Sequence, residues 1–277
     1  MSQLIFEKGT LYIVGTPIGN LSDLSPRAAE VFENVDFIAA EDTRVTLKLL
    51  NSLGIKKPLV SYYEHNEAAR SSEIVDRLKN GEICALVSDA GMPLISDPGG
   101  EIVALCEKEN VPVRVVPGPC ALIAALALSG IDTGRFSFEG FLSVNAKRRR
   151  EHLEEVKDDR RTLVFYEAPH KLCKTLADML SFFGDRRISL SRELTKLHEE
   201  TLRMTLSEAV EYYKEIPPKG EFVIVVEGAS EKKSEAEDPE SVMMELLAKG
   251  LSKTEAAKET AKRTGISKSE AYKFAVK

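Results

Sequence analysis

Residues 83–100, "ICALVSDAGMPLISDPGG", set an apolar run, Ile83 to Val87, against a loop that holds two aspartates, Asp89 and Asp97, among glycines and prolines. The apolar run has the make-up of a buried strand. A simple connection needs about two to six residues, so a backbone-rich loop of this length at a strand end reads as a segment built to hold a ligand. It lacks the Lys-Ser/Thr ending of a phosphate-binding P-loop and the GxGxxG spacing of a dinucleotide site.

The same pattern recurs on either side. Short β-branched runs at 10–15, 35–42, 58–63, 83–89 and 111–118 alternate with helical patterns. Pro26–Asn34 follows Ser25 as N-cap, Arg44–Leu53 closes on Gly54, and Glu67–Lys79 closes on Gly81. Such alternation predicts a parallel α/β sheet, and in such sheets ligands bind outside the carboxyl ends of the strands. Three strand ends here run into Gly/Pro-rich loops: "GTPIGN" at 15–20, "SDAGMP" at 88–93 and "PGPCA" at 117–121.

After residue 120 the pattern restarts with candidate strands at 136–142, 161–169, 187–194, 199–206 and 220–228 and a helix near Lys171–Phe183. Helical segments are sparser there, which predicts a mixed-sheet domain and a cleft between the two halves. The expected organisation is an N-terminal parallel α/β domain over 1–118 and a mixed α/β domain over 119–228. A charged linker over 229–238 and a tail over 239–277 follow. Two Ser-x-x-Glu boxes in the tail, Ser252–Glu255 and Ser267–Glu270, predict short helices in a helix-turn-helix-like arrangement carrying Lys268, Lys273 and Lys277.

A chain of 277 residues, 43% of them apolar, can bury a sizeable core, and its net charge of -6 leaves room for polyanion binding only in local basic patches. The four cysteines are too scattered for a zinc site or a disulfide framework. The longest uncharged run, Val115 to Ile131, contains prolines and glycines and is shorter than the ~20 residues of a membrane span. The first residues carry no basic start followed by a cleavable apolar segment. A cytoplasmic protein, free of membrane and metal, is the expectation.

The carboxylates beside the loops, Glu41, Asp42, Asp89 and Asp97, suit a ligand with an amino group, hydroxyls and a flat apolar ring. S-adenosylmethionine has that mixture, and another nucleoside fits the same residues. The stretches "GTLYIVGTPIGNLSDLSPRA", "AEDTR", "SYYEHNE", "VSDAGMPLISDPG", "VPGPCA", "FYEAPHK" and "RELTKLHEE" together resemble the tetrapyrrole-methylase-like superfamily of S-adenosylmethionine-dependent enzymes, from about residue 10 to 228. Within it the match is to members that methylate a cytidine ribose 2′-oxygen in 16S rRNA of the small ribosomal subunit. The resemblance implies two α/β domains with the cofactor in the cleft between them, a small helical C-terminal tail and a homodimer.

Carried over position by position, the resemblance sets Gly15, Pro17 and Gly19 against the cofactor, with Asp89, Ala90, Gly91 and Ile95 of the long loop. Cys120 and Ala121 follow, then Tyr166, Glu167 and Ala168 from the second domain. Cys120 stands where relatives more often carry serine, and Lys171 where many carry arginine. Removal of a ribose hydroxyl proton uses either a general base or positioning alone; the candidate bases are Asp42, Glu64, His65, Glu193 and Lys196. RNA contacts fall to Arg44, the run Lys147, Arg148, Arg149 and Arg150, and His170, Lys171 and Arg192. Two other functions compete: methylation of a small tetrapyrrole or corrinoid, and a nucleic-acid-binding regulator whose tail reads DNA.

Overall fold

Alternate residues of the first strands serve opposite faces of one sheet. The strands β1 (Leu11–Val14), β2 (Phe37–Ala40), β3 (Leu59–Ser61), β4 (Cys84–Val87) and β5 (Val113–Val116) pair in parallel in the order β3-β2-β4-β1-β5. One face carries Tyr12, Val14, Ile38, Ala40, Ala85 and Val87, and packs on Ala28, Val31 and Phe32 of α1 (Pro26–Asn34) and Leu50 of α2 (Thr43–Ser52). The other carries Leu11, Ile13, Phe37, Ala39, Cys84 and Leu86, and packs on α3 (Glu67–Lys79) and α4 (Gly100–Lys108). Burial on both faces explains why these strands read as unbroken apolar runs. In this computed structural model residues 6–230 and 238–275 are described.

This wiring creates the crevice. β1 and β4 are neighbours, yet β1 leads into α1 on one face and β4 leads into α4 on the other. Connections that leave adjacent parallel strands toward opposite faces part at the carboxyl edge and leave a ligand crevice there. The two loops that flank it hold each other: the amide of Thr16 donates to the Gly91 carbonyl at 2.9 Å, and the Gly91 amide donates to the Thr16 carbonyl at 3.1 Å.

The second sheet joins β6 (Phe136–Phe141), β7 (Thr162–Glu167), β8 (Arg187–Arg192), β9 (Glu200–Thr205) and β10 (Phe222–Val226) in the order β6-β7-β10-β8-β9, with β6 and β7 parallel and the other pairs antiparallel. Its outer face is covered by α6 (Ala146–Val156), α7 (Pro169–Phe183) and α8 (Leu206–Glu215). Its inner face packs on α5 (Ala121–Leu128) and on Ile18 from the loop after β1.

The expected scarcity of helices in this half is not found, because α5, α6 and α8 escape the pattern. α5 is apolar all round, so its period is invisible, and α6 opens on four consecutive cations. A readable signal for α8 was Thr205-x-x-Glu208, a reciprocal capping box.

The chain divides into the units Met1–Gly228 and Ala229–Lys277. In the second, α9 (Pro239–Ala248), α10 (Lys253–Thr264) and α11 (Lys268–Phe274) enclose a small core of Val242, Met243, Leu246, Ala256, Ala257 and Ala271. Both Ser-x-x-Glu boxes close reciprocally, and Gly265 takes the left-handed conformation that ends α10, φ 76°. Residues 231–237 of the expected linker, and Lys277, lie outside the described residues.

Candidate active site

At the carboxyl edge of the first sheet lies a cavity of about 310 Å³, walled by both halves of the body. Strand ends of the first sheet contribute Ile18, Glu41, Asp89 to Met92 and Ile95 to Asp97; the second half contributes Cys120, Ala121, Phe141, Tyr166, Ser191, Glu193, Leu194, Lys196 and Glu221 to Val223. That volume is at the lower end of the roughly 300–1,000 Å³ typical of small-ligand sites.

Close backbone approach shapes the floor. A Cβ on Gly15 would lie 2.7 Å from the Gly118 Cα, so at this crossing of the loops after β1 and β5 only glycine fits. Gly19 sits against the loop after β8, where a Cβ would meet Lys196 Cγ at 2.5 Å. Both rims hold non-glycine residues at positive φ: Leu94 (73°) and Ser96 (65°) on one, Glu193 (50°) and Thr195 (67°) on the other. For β-branched Thr195 this is a strained conformation of the kind that gathers at ligand sites.

Carboxylates dominate the electrostatics. Asp89 accepts from the Asp42 amide at 3.0 Å while Glu41 accepts from the Asp89 amide at 3.3 Å, which ties the ends of β2 and β4 together. Burial raises Glu41 and Asp89 above the usual carboxylate range, and pushes Asp97 up to about 6. Asp42 behaves oppositely. It caps α2 and is gripped by the Arg44 guanidinium, with Nε 3.0 Å and Nη2 2.5 Å from its oxygens, which holds its carboxyl down to about 2.

Residues 10–210 match the model of the tetrapyrrole (corrin/porphyrin) methylases. The chain belongs to the tetrapyrrole methylase family. Curated relatives named ribosomal RNA small subunit methyltransferase I include that of Synechocystis, 46% identical over 97% of this chain and 98% of its own, and that of Halalkalibacterium halodurans, 48% identical over 96% and 94%. The Thermotoga maritima protein of the same name is 49% identical and is matched over 99% of its length by 79% of this chain. Among solved structures, uroporphyrin-III-C-methyltransferase from Thermus thermophilus shares the fold at TM-score 0.56 and 20% identity, covering 79% of this chain and 94% of that one. Diphthine synthase does so at 0.59 and 14%, covering 79% and 89%.

In this tetrapyrrole methylase, the expected cofactor contacts divide. Asp89, Ala90, Gly91, Ile95, Cys120, Ala121 and Tyr166 line the cavity, whereas Gly15, Pro17 and Gly19 do not; from their loop Ile18 lines it. Glu167 faces away: strand alternation turns it from Tyr166 into a buried cluster with Lys171 at 2.7 Å, Thr175 at 2.5 Å and the Ala168 amide at 2.9 Å. Ala168 is outside the cavity wall as well.

Of the candidate bases, Glu193 and Lys196 line the cavity and pair at 3.0 Å. Glu64 and His65 lie on an exposed loop outside it, and Asp42 is bound to Arg44. The candidate RNA contacts scatter. Lys147, Arg148 and Arg150 are exposed on α6, but Arg149 is not on that surface: it is buried, 2.7 Å from Asp178. His170 is exposed, Lys171 belongs to the buried Glu167 cluster, and Arg192 pairs with Glu200 at 2.6 Å.

Glu41 and Asp97, legible as loop carboxylates, line the cavity too. Met92, Ser96, Phe141, Ser191, Leu194, Glu221, Phe222 and Val223 complete the wall without having stood out in the sequence. A charge at the mouth of an apolar strand, as in Glu221-Phe222-Val223, was the one legible signal for the last group. Among the described residues no group of three or more His, Cys, Asp or Glu side chains could hold a metal ion, and no helix is long and apolar enough to cross a membrane.

Proposed function

We propose that this protein transfers the methyl group of S-adenosylmethionine to the ribose 2′-oxygen of a cytidine in 16S rRNA of the small ribosomal subunit, in the cytoplasm and as a homodimer. The observation that carries this reading is 46–49% identity to proteins named for that rRNA subunit, two of them matched over nearly their whole length by nearly the whole of this chain.

The cavity's residues fit the donor. Ile18, Ile95, Phe141, Leu194 and Val223 offer an apolar wall for a flat ring, while Glu41, Asp89 and Asp97 suit hydroxyls and positive charge. When bound, the donor supplies an electrophilic methyl group. The chain's own part is to hold and orient: the crossed glycines let backbone approach closely, the strained rims fix the loops, and the second-half wall excludes water. Correct placement of well-oriented reactants supplies up to about 7–11 kcal/mol of barrier reduction. Glu193, paired with Lys196 at 3.0 Å in the cavity wall, is the group we assign to receive the hydroxyl proton, because Lys196 as an ammonium accepts none.

The polyanionic substrate is assigned to α6. Its N-cap Asn145 accepts from the amides of Lys147 and Arg148, and the exposed cations follow closely on Phe141 of the cavity wall. Changing Lys147, Arg148 and Arg150 together to glutamine, with Arg149 kept for its buried pair, is expected to weaken binding of small subunits. Each phosphate that the chain no longer neutralises removes ~0.7–0.9 from the log–log salt slope, so a total change of about 2.1–2.7 in filter-binding measurements supports a phosphate partner for all three cations. An unchanged slope would make α6 a solvated face with no phosphate partner.

The experiment that tests the function is mass spectrometry of small-subunit rRNA from a strain lacking this chain. One cytidine ribose methyl disappears and returns on complementation. An unaltered methylation pattern would remove the rRNA reading.

A further inference from the structure

Five carboxylates line the cavity, from Glu41, Asp89, Asp97, Glu193 and Glu221, against a single cation, Lys196. Lys196 is engaged by Glu193 at 3.0 Å, so its charge is spent locally. Glu41, Asp89, Asp97 and Glu221 take part in no ion pair among the described residues. Glu41 and Asp89 each accept a backbone amide, and Asp97, half-buried on the strained loop next to Ser96, has the Ser88 hydroxyl beside it and lies within the field of Glu41, Asp89 and Glu221. These carboxylates come from separate elements: the ends of β2 and β4, the loop before α4 and the start of β10. Tyr166 of β7 faces the same space. A concave, low-dielectric site with this excess of one sign concentrates ligands of the opposite sign and disfavours phosphate. A polyanionic RNA needs the reverse, so the charge of this cavity is built for something other than the substrate's backbone.

We infer that Asp97, backed by Glu41, Asp89 and Glu221, holds the positive charge of the donor's sulfonium and thereby makes the cavity distinguish methylated donor from spent product. This deepens the function proposed above and rests on it. Transfer of the methyl carbon to a ribose oxygen forms the C–O bond, leaves both electrons of the broken C–S bond on sulfur and releases the hydroxyl proton. The sulfonium thus becomes a neutral thioether, while the amino acid and nucleoside ends are unchanged. An attraction between Asp97 and that one charge is lost at the moment of reaction, which assigns Asp97 a specificity role and favours release of product.

The acid side has a definite sign. Burial holds Asp97 at about 6 in the free protein, above its ordinary value. The carboxylate is therefore fully present above neutral pH and is lost as pH falls through 6. The donor-to-product affinity ratio should be flat above pH 7 and fall below pH 6 toward a limit about tenfold lower, the loss expected once Asp97 no longer carries its charge. The α-amino group is common to donor and product and cancels in their ratio.

The test is calorimetric titration of the full chain with S-adenosylmethionine and, separately, S-adenosylhomocysteine. For Asp97→Asn the expected loss is about tenfold for the sulfonium ligand and under about threefold for the thioether, because only the former presents a charge to the missing carboxylate. Glu221→Gln, at an exposed position, should move the ratio the same way by less, which keeps the inference testable if Asp97→Asn fails to fold. Equal losses for both ligands would overturn the inference and make Asp97 a hydrogen-bonding or structural group, as would a donor-to-product ratio that does not change between pH 7.5 and 5. Failure of the unaltered protein to bind either ligand would instead remove the proposed function, and this inference with it.

Discussion

Lys171→Met is expected to lower the stability of the protein by about 3–5 kcal/mol, the cost of leaving a buried carboxylate without its cation. The Glu167 side chain is fully buried and Lys171 is 15% exposed, with their charged atoms 2.7 Å apart. Lys171 also donates to the Leu142 carbonyl at 3.0 Å and lies over the Phe141 ring at 5.6 Å, so it joins the first turn of α7 to the end of β6. Removing it frees a cavity wall as well as a charge. Denaturant unfolding followed by circular dichroism measures the effect. The double variant Glu167→Gln/Lys171→Met should recover a large part of the loss, because a buried pair replaced on both sides leaves no orphan charge. A single variant of native stability that binds small subunits poorly would contradict this and return Lys171 to the RNA surface.

Gly118→Ala should damage both stability and the cavity proposed to hold the donor. The added methyl carbon would lie 2.8 Å from Gly15 Cα and 2.9 Å from its carbonyl atoms, and since these are backbone the loops must part. Overpacking of this kind costs about 1–3 kcal/mol. The displacement passes directly to the cavity, because the Gly118 amide contacts Met92 Sδ at 3.3 Å and Met92 is part of the wall. Gly100→Ala is the control: a Cβ there meets nothing within 4 Å, and the position opens α4. That substitution should be neutral or stabilising by about 0.4–1 kcal/mol. Equal behaviour of the two variants in thermal unfolding and donor titration would contradict the role given to the crossed glycines.

The first sheet was legible because its strands are buried on both faces and its loops are punctuated by glycine and proline, as at Gly15–Gly19 and Ser88–Gly100. The crevice was legible for the same reason. Orientation was not. Tyr166 and Glu167 are adjacent in one motif, yet strand alternation sends the first to the cavity and the second into a buried ion pair. Arg149 sits in a run of four cations, but its side chain is turned inward by Asp178, a partner on another helix. Tertiary pairing decided both cases, and no local pattern carries it. Ser191, Glu221, Phe222 and Val223 reach the cavity only because the second sheet stacks its β8 and β10 ends against the first, a relation invisible until the two sheets are placed together.

Methyl transfer itself is tested by giving the purified chain S-adenosylmethionine labelled in the methyl group together with assembled small subunits, naked 16S rRNA or a tetrapyrrole, followed by nuclease digestion and mass spectrometry of the products. Label on the 2′-oxygen of a cytidine ribose in the small-subunit rRNA is expected. Label on a base, label on the tetrapyrrole, or no transfer by a folded protein that binds the donor would contradict it.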